Sequence, residues 1–179
     1  MQIEETFIKD LLIITPVVFT DNRGYFLESY HKQKLASQLN ADFVQDNESQ
    51  SQKGVLRGLH FQKPPYSQGK LVRVITGSVL DVAVDLRKGS TTYGKHFKHI
   101  LSSENKTQLY VPEGFAHGFL VLEDRTIFSY KCTGYYHKEA ECSLLWNDST
   151  LNIDWEIENP IISDKDKNAE KFANFNSPF

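Results

Sequence analysis

The strongest constraint on the fold is a period-two pattern in residues 79–87, VLDVAVDLR. Successive side chains of a β-strand point to opposite faces of the sheet, so this pattern gives one aliphatic face and one mostly polar face. The aliphatic residues are Leu80, Val82, Val84 and Leu86, and they alternate with Asp81, Ala83, Asp85 and Arg87. We predict a half-buried strand with acidic side chains on its polar face.

Similar short apolar runs follow one another along the chain. They are KLVRVI (70–75), HFKHILS (96–102), TQLYVPE (107–113), HGFLVLE (117–123), TIFSYKC (126–132) and CSLLWND (142–148). Many short strands with turn residues between them indicate an antiparallel sandwich or barrel. Helical patterns are confined to YHKQKLASQLN (30–40) and SDKDKNAEKFANF (163–175). The sequence therefore predicts an all-β, cupin-type jelly-roll β-barrel with a few short helices, whose mouth can hold one small ligand.

Length and charge limit the classes of function. A chain of 179 residues with no internal repeat or linker predicts a single domain over residues 1–179. The net charge of -3, with both signs interspersed, argues against binding to nucleic acid. With no basic leader and no apolar stretch of about 18 residues, we expect no membrane association and a cytoplasmic location. There, Cys132 and Cys142 should stay reduced.

One segment concentrates three cations of different chemistry. GVLRGLHFQKPPYSQGK, residues 54–70, contains Arg57, His60 and Lys70 among glycines and prolines. These residues offer a permanently charged guanidinium, an imidazole that titrates near neutrality and a point charge. A solvated basic loop is the simpler interpretation, but the run LRGLHF is too apolar for one. We therefore treat the three cations as candidate site residues.

The spacing of the histidines argues against a metal centre. The turn PEGFAH ends at His117 and resembles the turn that supplies one metal ligand in the cupin superfamily. The H-x-H pair that would supply further ligands is missing around His60, and a transition metal needs three or four converging ligands. His96 and His99 are three apart on a predicted strand, so they point to opposite faces, and we predict both to be surface residues. The sequence predicts no metal site.

Aspartates and tyrosines supply further candidates. From the pattern alone, Asp81 and Asp85 are equal candidates to orient an imidazole. Tyr130 lies on a predicted strand, and Tyr135 and Tyr136 follow in the turn GYYHKE. Tyrosines at strand edges are commonly amphipathic filler, but a phenol can donate a proton and an aromatic pair can stack on a nucleobase. The residues alone do not choose between these roles.

A series of motifs in one order resembles the dTDP-4-dehydrorhamnose 3,5-epimerase family, a cupin-type group of nucleotide-sugar epimerases. The similarity runs from about residue 8 to 168: DNRGYFLE, FVQDNES, GVLRGLHFQKPPYSQGKLVRV, GSVLDVAVDLRKGS, LSSENKTQLYVPEGFAHGFLVL, YKCTGYY, LWNDSTLNIDW and SDKD. The resemblance implies a jelly-roll homodimer with neither a metal nor another cofactor. It also implies inversion of carbons 3 and 5 of dTDP-4-keto-6-deoxy-D-glucose, in the biosynthesis of dTDP-L-rhamnose for cell-surface polysaccharide.

The resemblance assigns four catalytic roles. His60 matches the general base, which removes a proton made acidic by the neighbouring keto group. Asp166, in SDKD, matches the carboxylate that orients this imidazole. Tyr130 matches the proton donor on the opposite face of the sugar. Lys70 matches the cation near the keto oxygen, where negative charge develops in the enolate.

The resemblance also assigns binding roles. Arg23 and Arg57 match cations for the diphosphate, and Tyr136 matches an aromatic residue that stacks on the thymine. The other positions that contact the substrate or frame the pocket are Glu28, Gln45, Asp46, Asn47, His117, Glu141 and Lys165. The segment that carries Arg23 and Glu28 is implied to complete the site of the partner subunit in a homodimer.

Three alternatives remain open at this point. A relative that inverts carbon 3 or carbon 5 alone, on a related nucleotide 4-keto-sugar, would use the same His, Tyr and Lys. A metal-dependent cupin oxygenase or isomerase would need the ligands that the H-x-H pair supplies. A non-catalytic barrel that binds nucleotide sugars would bind without proton exchange.

Overall fold

The protein was analysed as a computed structural model that describes residues 1–36, 38–39 and 41–179. Its strands are β1 (Gln2–Glu5), β2 (Leu12–Thr15), β3 (Val18–Asp21), β4 (Gly24–Leu27), β5 (Gln45–Ser51), β6 (Leu56–Gln62), β7 (Lys70–Thr76), β8 (Ser78–Asp85), β9 (His96–Ser102), β10 (Gln108–Val111), β11 (Phe115–Val121), β12 (Thr126–Cys132) and β13 (Glu141–Ser143). Each run that was predicted as a strand overlaps one of these, although 142–148 contributes Cys142 and Ser143 alone.

Helices are short, as predicted. They are α1 (Lys32–Leu35), α2 (Asp164–Lys167) and the 3-10 turns Lys138–Ala140 and Phe172–Asn174. Part of the helix predicted at 30–40 falls on Ser37 and Asn40, which lie outside the described residues. No helix in the described part of the chain is long and apolar enough to cross a membrane.

Two antiparallel sheets pack face to face and form the predicted jelly roll. One has six strands in the order β1-β2-β10-β7-β12-β5, and the other has five in the order β13-β6-β11-β8-β9. Side chains from both inner faces form the main core, which includes Val72, Leu109, Phe119 and Phe128. Apolar side chains therefore fill part of the interior between the two sheets.

The strand of the period-two pattern, β8, is buried along its whole length. Our prediction of a half-buried strand is wrong, because both faces of β8 are covered. Leu80, Val82 and Val84 face outward, where residues 144–179 cover them with side chains such as Leu151 and Trp155. The polar face, with Asp81 and Asp85, points into the barrel. The pattern is correct, but a second layer covers the outer face.

An extra residue in β6 decides which side chains enter the barrel. His60 pairs with His117, while Arg57 pairs with Phe119, so three steps along β6 oppose two along β11. Such a bulge shifts the alternation of the strand by one residue. Arg57 and His60 consequently share the inner face, although their odd spacing in a regular strand would place them on opposite faces.

Two glycines permit the close approach of β6 and β11 at this bulge. A Cβ atom on Gly58 would lie 2.5 Å from the Cα atom of Gly118, and one on Gly118 would lie 2.8 Å from the Arg57 carbonyl oxygen. Gly58 also has a φ of +137°, a backbone angle that residues other than glycine rarely adopt. The absence of side chains at these two positions therefore permits the close strand contact beside the paired histidines His60 and His117.

Strands β3 and β4 form a separate hairpin. Its apolar side chains face solvent, since Phe19 is 62% exposed and Phe26 is 65% exposed. Exposed apolar patches of this kind commonly mark interaction sites. The hairpin is therefore a candidate contact surface.

Candidate active site

A polar cavity of about 160 Å³ lies between the two sheets, beyond the apolar core. The six-stranded sheet contributes residues of β5, β7 and β12, and the five-stranded sheet contributes residues of β6 and β13. The lining residues are Gln45, Asn47, His60, Phe61, Gln62, Gln68, Lys70, Tyr130, Tyr136 and Glu141. Six of these were predicted as site residues, and the loop residue Tyr136 was a seventh.

His60 and Asp166 form a hydrogen-bonded pair at one wall of this cavity. Nε2 of His60 lies 2.6 Å from Oδ1 of Asp166, whose side chain is 4% exposed. The Ser163 hydroxyl caps α2 by accepting a hydrogen bond from the Asp166 amide, which fixes the carboxylate next to β6. Asp166 is therefore positioned to orient the imidazole. The two alternatives from the sequence, Asp81 and Asp85, bind other residues.

The electrostatics of this pair define its protonation. Burial alone would raise the pKa of Asp166, but hydrogen bonds from His60 and Ser163 outweigh it and lower this pKa below its usual value. An ionised carboxylate only accepts hydrogen bonds, so Nε2 of His60 carries the proton that it donates. In the neutral imidazole the lone pair then lies on Nδ1. This nitrogen is the atom that can accept a proton.

Tyr130 and Lys70 come from the opposite sheet. They lie on the neighbouring strands β12 and β7, and the Lys70 ammonium lies 5.9 Å from the centroid of the Tyr130 ring. Burial raises the pKa of the Tyr130 hydroxyl, so this phenol is protonated at neutral pH. Burial lowers the pKa of Lys70, and the charges of Cys132, Asp81 and Glu141 offset this only in part. An imidazole on one sheet and a protonated phenol on the other thus line the same cavity.

His117 and Asp81 form a second pair, deeper in the barrel. Nε2 of His117 lies 3.0 Å from both carboxylate oxygens of Asp81, which is completely buried. His117 lies beside the stacked rings of Phe119 and Phe128. It is the cross-strand neighbour of His60, but it does not line the cavity. The second candidate from the pattern, Asp85, binds Arg87 instead, at 2.8 Å.

The mouth of the cavity carries a polar network. Glu141 accepts a hydrogen bond from the Tyr136 hydroxyl at 3.0 Å and forms an ion pair with Lys165 at 2.6 Å. Burial would raise the pKa of Glu141, but these two partners lower it. Gln45 accepts a hydrogen bond from the Tyr136 amide and donates one to Asn47. All five predicted residues therefore belong to one connected cluster.

Arg57 lies at the edge of this site. Its guanidinium donates to the Ser51 hydroxyl, at 3.1 Å from Nη2, and its charge is close enough to lower the pKa of Tyr130 slightly against the effect of burial. The side chain is exposed, so it is free to bind an anion at the mouth. Ser51 was not predicted; its period-two spacing from Asn47 and Gln45 on β5 would have indicated it.

The structure places three predicted residues away from the cavity. Asp46 lies on the outer face of β5 and pairs with Lys131 at 2.9 Å. Arg23 lies at the tip of the exposed hairpin and pairs with Asp21 at 2.6 Å, and Glu28 pairs with Lys34. Within a single chain, these three residues do not line the cavity that contains His60.

Two lining glutamines were also missed. Gln62 is two residues from His60, so it shares the inner face of β6, and this spacing was the available signal. Gln68 lies in the loop before β7 and donates to the Gly134 carbonyl at 2.6 Å. Both lie where the two loops at the cavity mouth meet.

Two further histidines and both cysteines lie outside the lining of the cavity. Among the described residues, no three His, Cys, Asp or Glu side chains converge as metal ligands. His96 and His99, which we predicted as surface residues, are half-buried: His96 lies beside Leu151, and the Phe97 ring stacks on His99. Cys132 and Cys142 are free thiols.

Comparison with known proteins identifies relatives that span nearly the whole chain. The family model described as dTDP-4-dehydrorhamnose 3,5-epimerase matches residues 5–174. The protein of that name from Shigella flexneri is 52% identical, over 97% of each chain. The crystal structure of dTDP-4-dehydrorhamnose 3,5-epimerase from Elizabethkingia anophelis is 52% identical over 97% of each chain, with a TM-score of 0.92. A 3,5-epimerase from Legionella pneumophila, solved with dTDP-4-keto-L-rhamnose, is 47% identical over 98% of this chain and 94% of its own, with a TM-score of 0.94.

Proposed function

The chain belongs to the dTDP-4-dehydrorhamnose 3,5-epimerase family, and we propose that it inverts carbons 3 and 5 of dTDP-4-keto-6-deoxy-D-glucose. The observation that carries this proposal is the pair of opposed groups in one cavity. A histidine oriented by a buried carboxylate lies on one sheet, and a protonated tyrosine lies on the other. Inversion at carbon needs such a base and acid on opposite faces of the sugar ring.

His60 starts the reaction as general base. Both carbons flank the 4-keto group, which stabilises the carbanion as an enolate and so makes their hydrogens acidic. Nδ1 of His60 accepts the proton, and the imidazolium that forms is stabilised by the Asp166 carboxylate at 2.6 Å. A base held in position by a second residue suits this transfer.

Lys70 and Tyr130 complete the inversion. The Lys70 ammonium stabilises the enolate oxygen, and a fixed charge in a half-buried site is more effective there than in water. Tyr130 donates its hydroxyl proton to the carbon from the face opposite to His60. The phenolate that remains lies near the Lys70 cation, 5.9 Å from the ring centroid. No step of this sequence changes the oxidation state of the sugar, so it requires no redox cofactor.

The mouth of the cavity is suited to the nucleotide. Arg57 is exposed and can fork onto the diphosphate, and the half-exposed Tyr136 ring offers a face for the thymine. Gln45, Asn47 and the Glu141–Lys165 pair frame this ring. His117 acts from behind His60, so we assign it a supporting role rather than the direct contact that the resemblance implies.

We further propose a homodimer in which the hairpin completes the partner's site. A cavity of about 160 Å³ is smaller than the roughly 300 Å³ at which ligand pockets typically begin, so one chain encloses the sugar and not the whole nucleotide. The hairpin exposes Phe19 and Phe26, and it carries Arg23 and Glu28 beside them. Their distance from the His60 cluster of their own chain is consistent with contacts to a second one.

Mixing two inactive variants tests this arrangement. His60→Ala and Arg23→Ala should each be inactive or nearly so. In a mixed dimer one site has both defects and the other has neither, so an equimolar mixture that has exchanged subunits should recover roughly a quarter of the wild-type activity. If Arg23→Ala is inactive and the mixture shows no recovery, Arg23 acts in its own chain.

Isotope exchange tests the reaction itself. The 4-keto sugar is incubated with the protein in heavy water, and the label is located by NMR. We expect deuterium at carbons 3 and 5, none with His60→Ala, and wild-type labelling with His96→Ala as the matched control. Label at one carbon would indicate a mono-epimerase, and wild-type protein that binds dTDP without any label would indicate a binding protein. The cytoplasmic location and the single domain stay predictions.

A further inference from the structure

Gln62 ties together the two loops that form the mouth of the cavity. Its side chain is almost fully buried, with the residue 5% exposed. Its Nε2 donates to the Tyr66 carbonyl at 2.7 Å and to the Tyr135 carbonyl at 3.3 Å. Its Oε1 accepts from the His137 amide at 2.7 Å. One carboxamide therefore uses both donors and its acceptor on backbone groups of residues 66 and 135–137.

These bonds lie on both sides of Tyr136. The carbonyl before this residue and the amide after it are held by Gln62, while its own amide donates to Gln45 at 3.1 Å. Each backbone bond removes freedom of rotation around the Tyr136 Cα atom. The ring is further held by its hydroxyl, which donates to Glu141. The direction of an exposed ring is thus fixed mainly by a buried amide.

The loops are joined at two further points. The ring of Tyr66 stacks on that of His137, with centroids 3.7 Å apart. Gln68 donates to the Gly134 carbonyl at 2.6 Å. Neither Tyr66 nor His137 lines the cavity, so their stacking serves to hold the loops and not the sugar. The whole assembly consists of residues 62–68 on one side and 134–137 on the other.

We infer that Gln62, assisted by Gln68, is a positioning residue that holds Tyr136 in place to bind the nucleotide base. This inference rests on the proposed function, because it assigns the thymine to the Tyr136 ring. Gln62 contacts no reacting atom in this scheme, and His60 carries out the chemistry two residues away. Loss of Gln62 should therefore weaken binding of the nucleotide much more than it slows turnover.

Titration calorimetry with dTDP measures this effect without any turnover. Gln62→Met keeps the length of the side chain and removes all three hydrogen bonds. We expect its Kd for dTDP to rise on the order of tenfold, and kcat at saturating sugar to stay within about threefold of wild type. Gln52→Met is the matched control, since Gln52 is exposed at the end of β5 and makes no side-chain hydrogen bond among the described residues. An unchanged Kd, or an equal fall in kcat, would overturn the inference.

A double-mutant cycle separates positioning from a general structural role. If Gln62 acts through Tyr136, then Gln62→Met should cost little further affinity in a Tyr136→Ala background, within about twofold. Fully additive losses would overturn the inference. Should circular dichroism show that Gln62→Met is unfolded, the half-exposed Gln68→Met decides, with an expected rise in Kd of about threefold and no rise as the contrary result.

The two proposals fail in different ways. Wild-type protein that binds dTDP and incorporates no solvent deuterium would overturn the proposed reaction, while the Kd of Gln62→Met would still decide the present inference. Wild-type protein that does not bind dTDP would overturn both.

Discussion

Replacement of Tyr130 by Phe should separate proton removal from inversion. His60 lies on the sheet opposite to Tyr130, and Asp166 binds it from α2, so the loss of one hydroxyl on Tyr130 leaves this pair intact. The His60 side chain is 31% exposed, and its imidazolium can therefore exchange its proton with water. The variant should remove a proton and return a solvent deuteron to the same face. We expect label at the reacting carbon without a change of configuration.

The size of the effect follows from the surroundings of the hydroxyl. No hydrogen bond with the described residues contributes to the pKa of Tyr130, which is raised by burial. Its removal leaves no buried partner unsatisfied, so the free energy of unfolding should change by less than about 0.5 kcal/mol. General acid catalysis raises the rate roughly 10²- to 10⁴-fold, which corresponds to about 2.7 to 5.4 kcal/mol of the activation free energy of the reaction. Inversion should slow by this factor at unchanged stability.

NMR of the sugar in heavy water measures both quantities in one sample. Label at carbons 3 and 5 reports exchange, and the ring coupling constants report configuration. Tyr93→Phe is the matched control, because Tyr93 packs on Phe172 at the far side of the five-stranded sheet. Inversion by Tyr130→Phe at a rate within about threefold of wild type, far below the expected loss, would refute the role of Tyr130 as the acid.

Three further predictions concern the charge, the dyad and the strand contact. Lys70→Met should lower kcat by roughly 10²- to 10³-fold. Because burial lowers the pKa of Lys70, wild-type kcat should begin to fall at an alkaline pH below the ordinary lysine pKa of 10.5. Measurement of kcat against pH for both proteins checks these two predictions. The folded pKa of Asp166 is below its ordinary value of 3.8, so its charge stabilises the fold above that pH and the contribution is lost as the pH falls through the lower value. In urea unfolding, Asp166→Asn should therefore have a lower free energy of unfolding than wild type at pH 7, and this difference should shrink in acid. A difference that is constant with pH would contradict this. Gly118→Ala puts a Cβ atom 2.8 Å from the Arg57 carbonyl and should destabilise the protein by about 1 to 3 kcal/mol, whereas Gly89→Ala meets no atom within 4 Å and should not.

The fold was largely predictable because its strands are read from local alternation. The limits of β9 and β12 coincide with two of the short apolar runs that we predicted as strands. The burial of β8 was not predictable in this way. Its outer face is covered by a segment about 70 residues further along the chain, and alternation within a strand does not record what packs on either face.

The site was predictable in kind but not in arrangement. Local spacing left Asp81 and Asp85 as partners for His60, and the structure assigns Asp166, which is 106 positions away. The resemblance, not the pattern, identified it. The shared face of Arg57 and His60 depends on one extra residue in β6, which strict alternation does not reveal. Asp46, Arg23 and Glu28 have no place in the cavity of one chain, and their roles stay predictions that a second chain must test.

Residues 144–179 cover the outer face of the five-stranded sheet, and this has a consequence for synthesis of the chain. The same segment that shields Leu80 and Val82 also delivers Asp166 to His60. Translation runs from the amino terminus, so both sheets are made before this carboxylate exists. A nascent chain that ends before residue 144 contains His60, Lys70 and Tyr130, but it lacks Asp166 and leaves this aliphatic surface uncovered. Loss of residues 144–179 should therefore both expose this aliphatic surface and remove the carboxylate that binds His60, so that the truncated protein aggregates and is inactive.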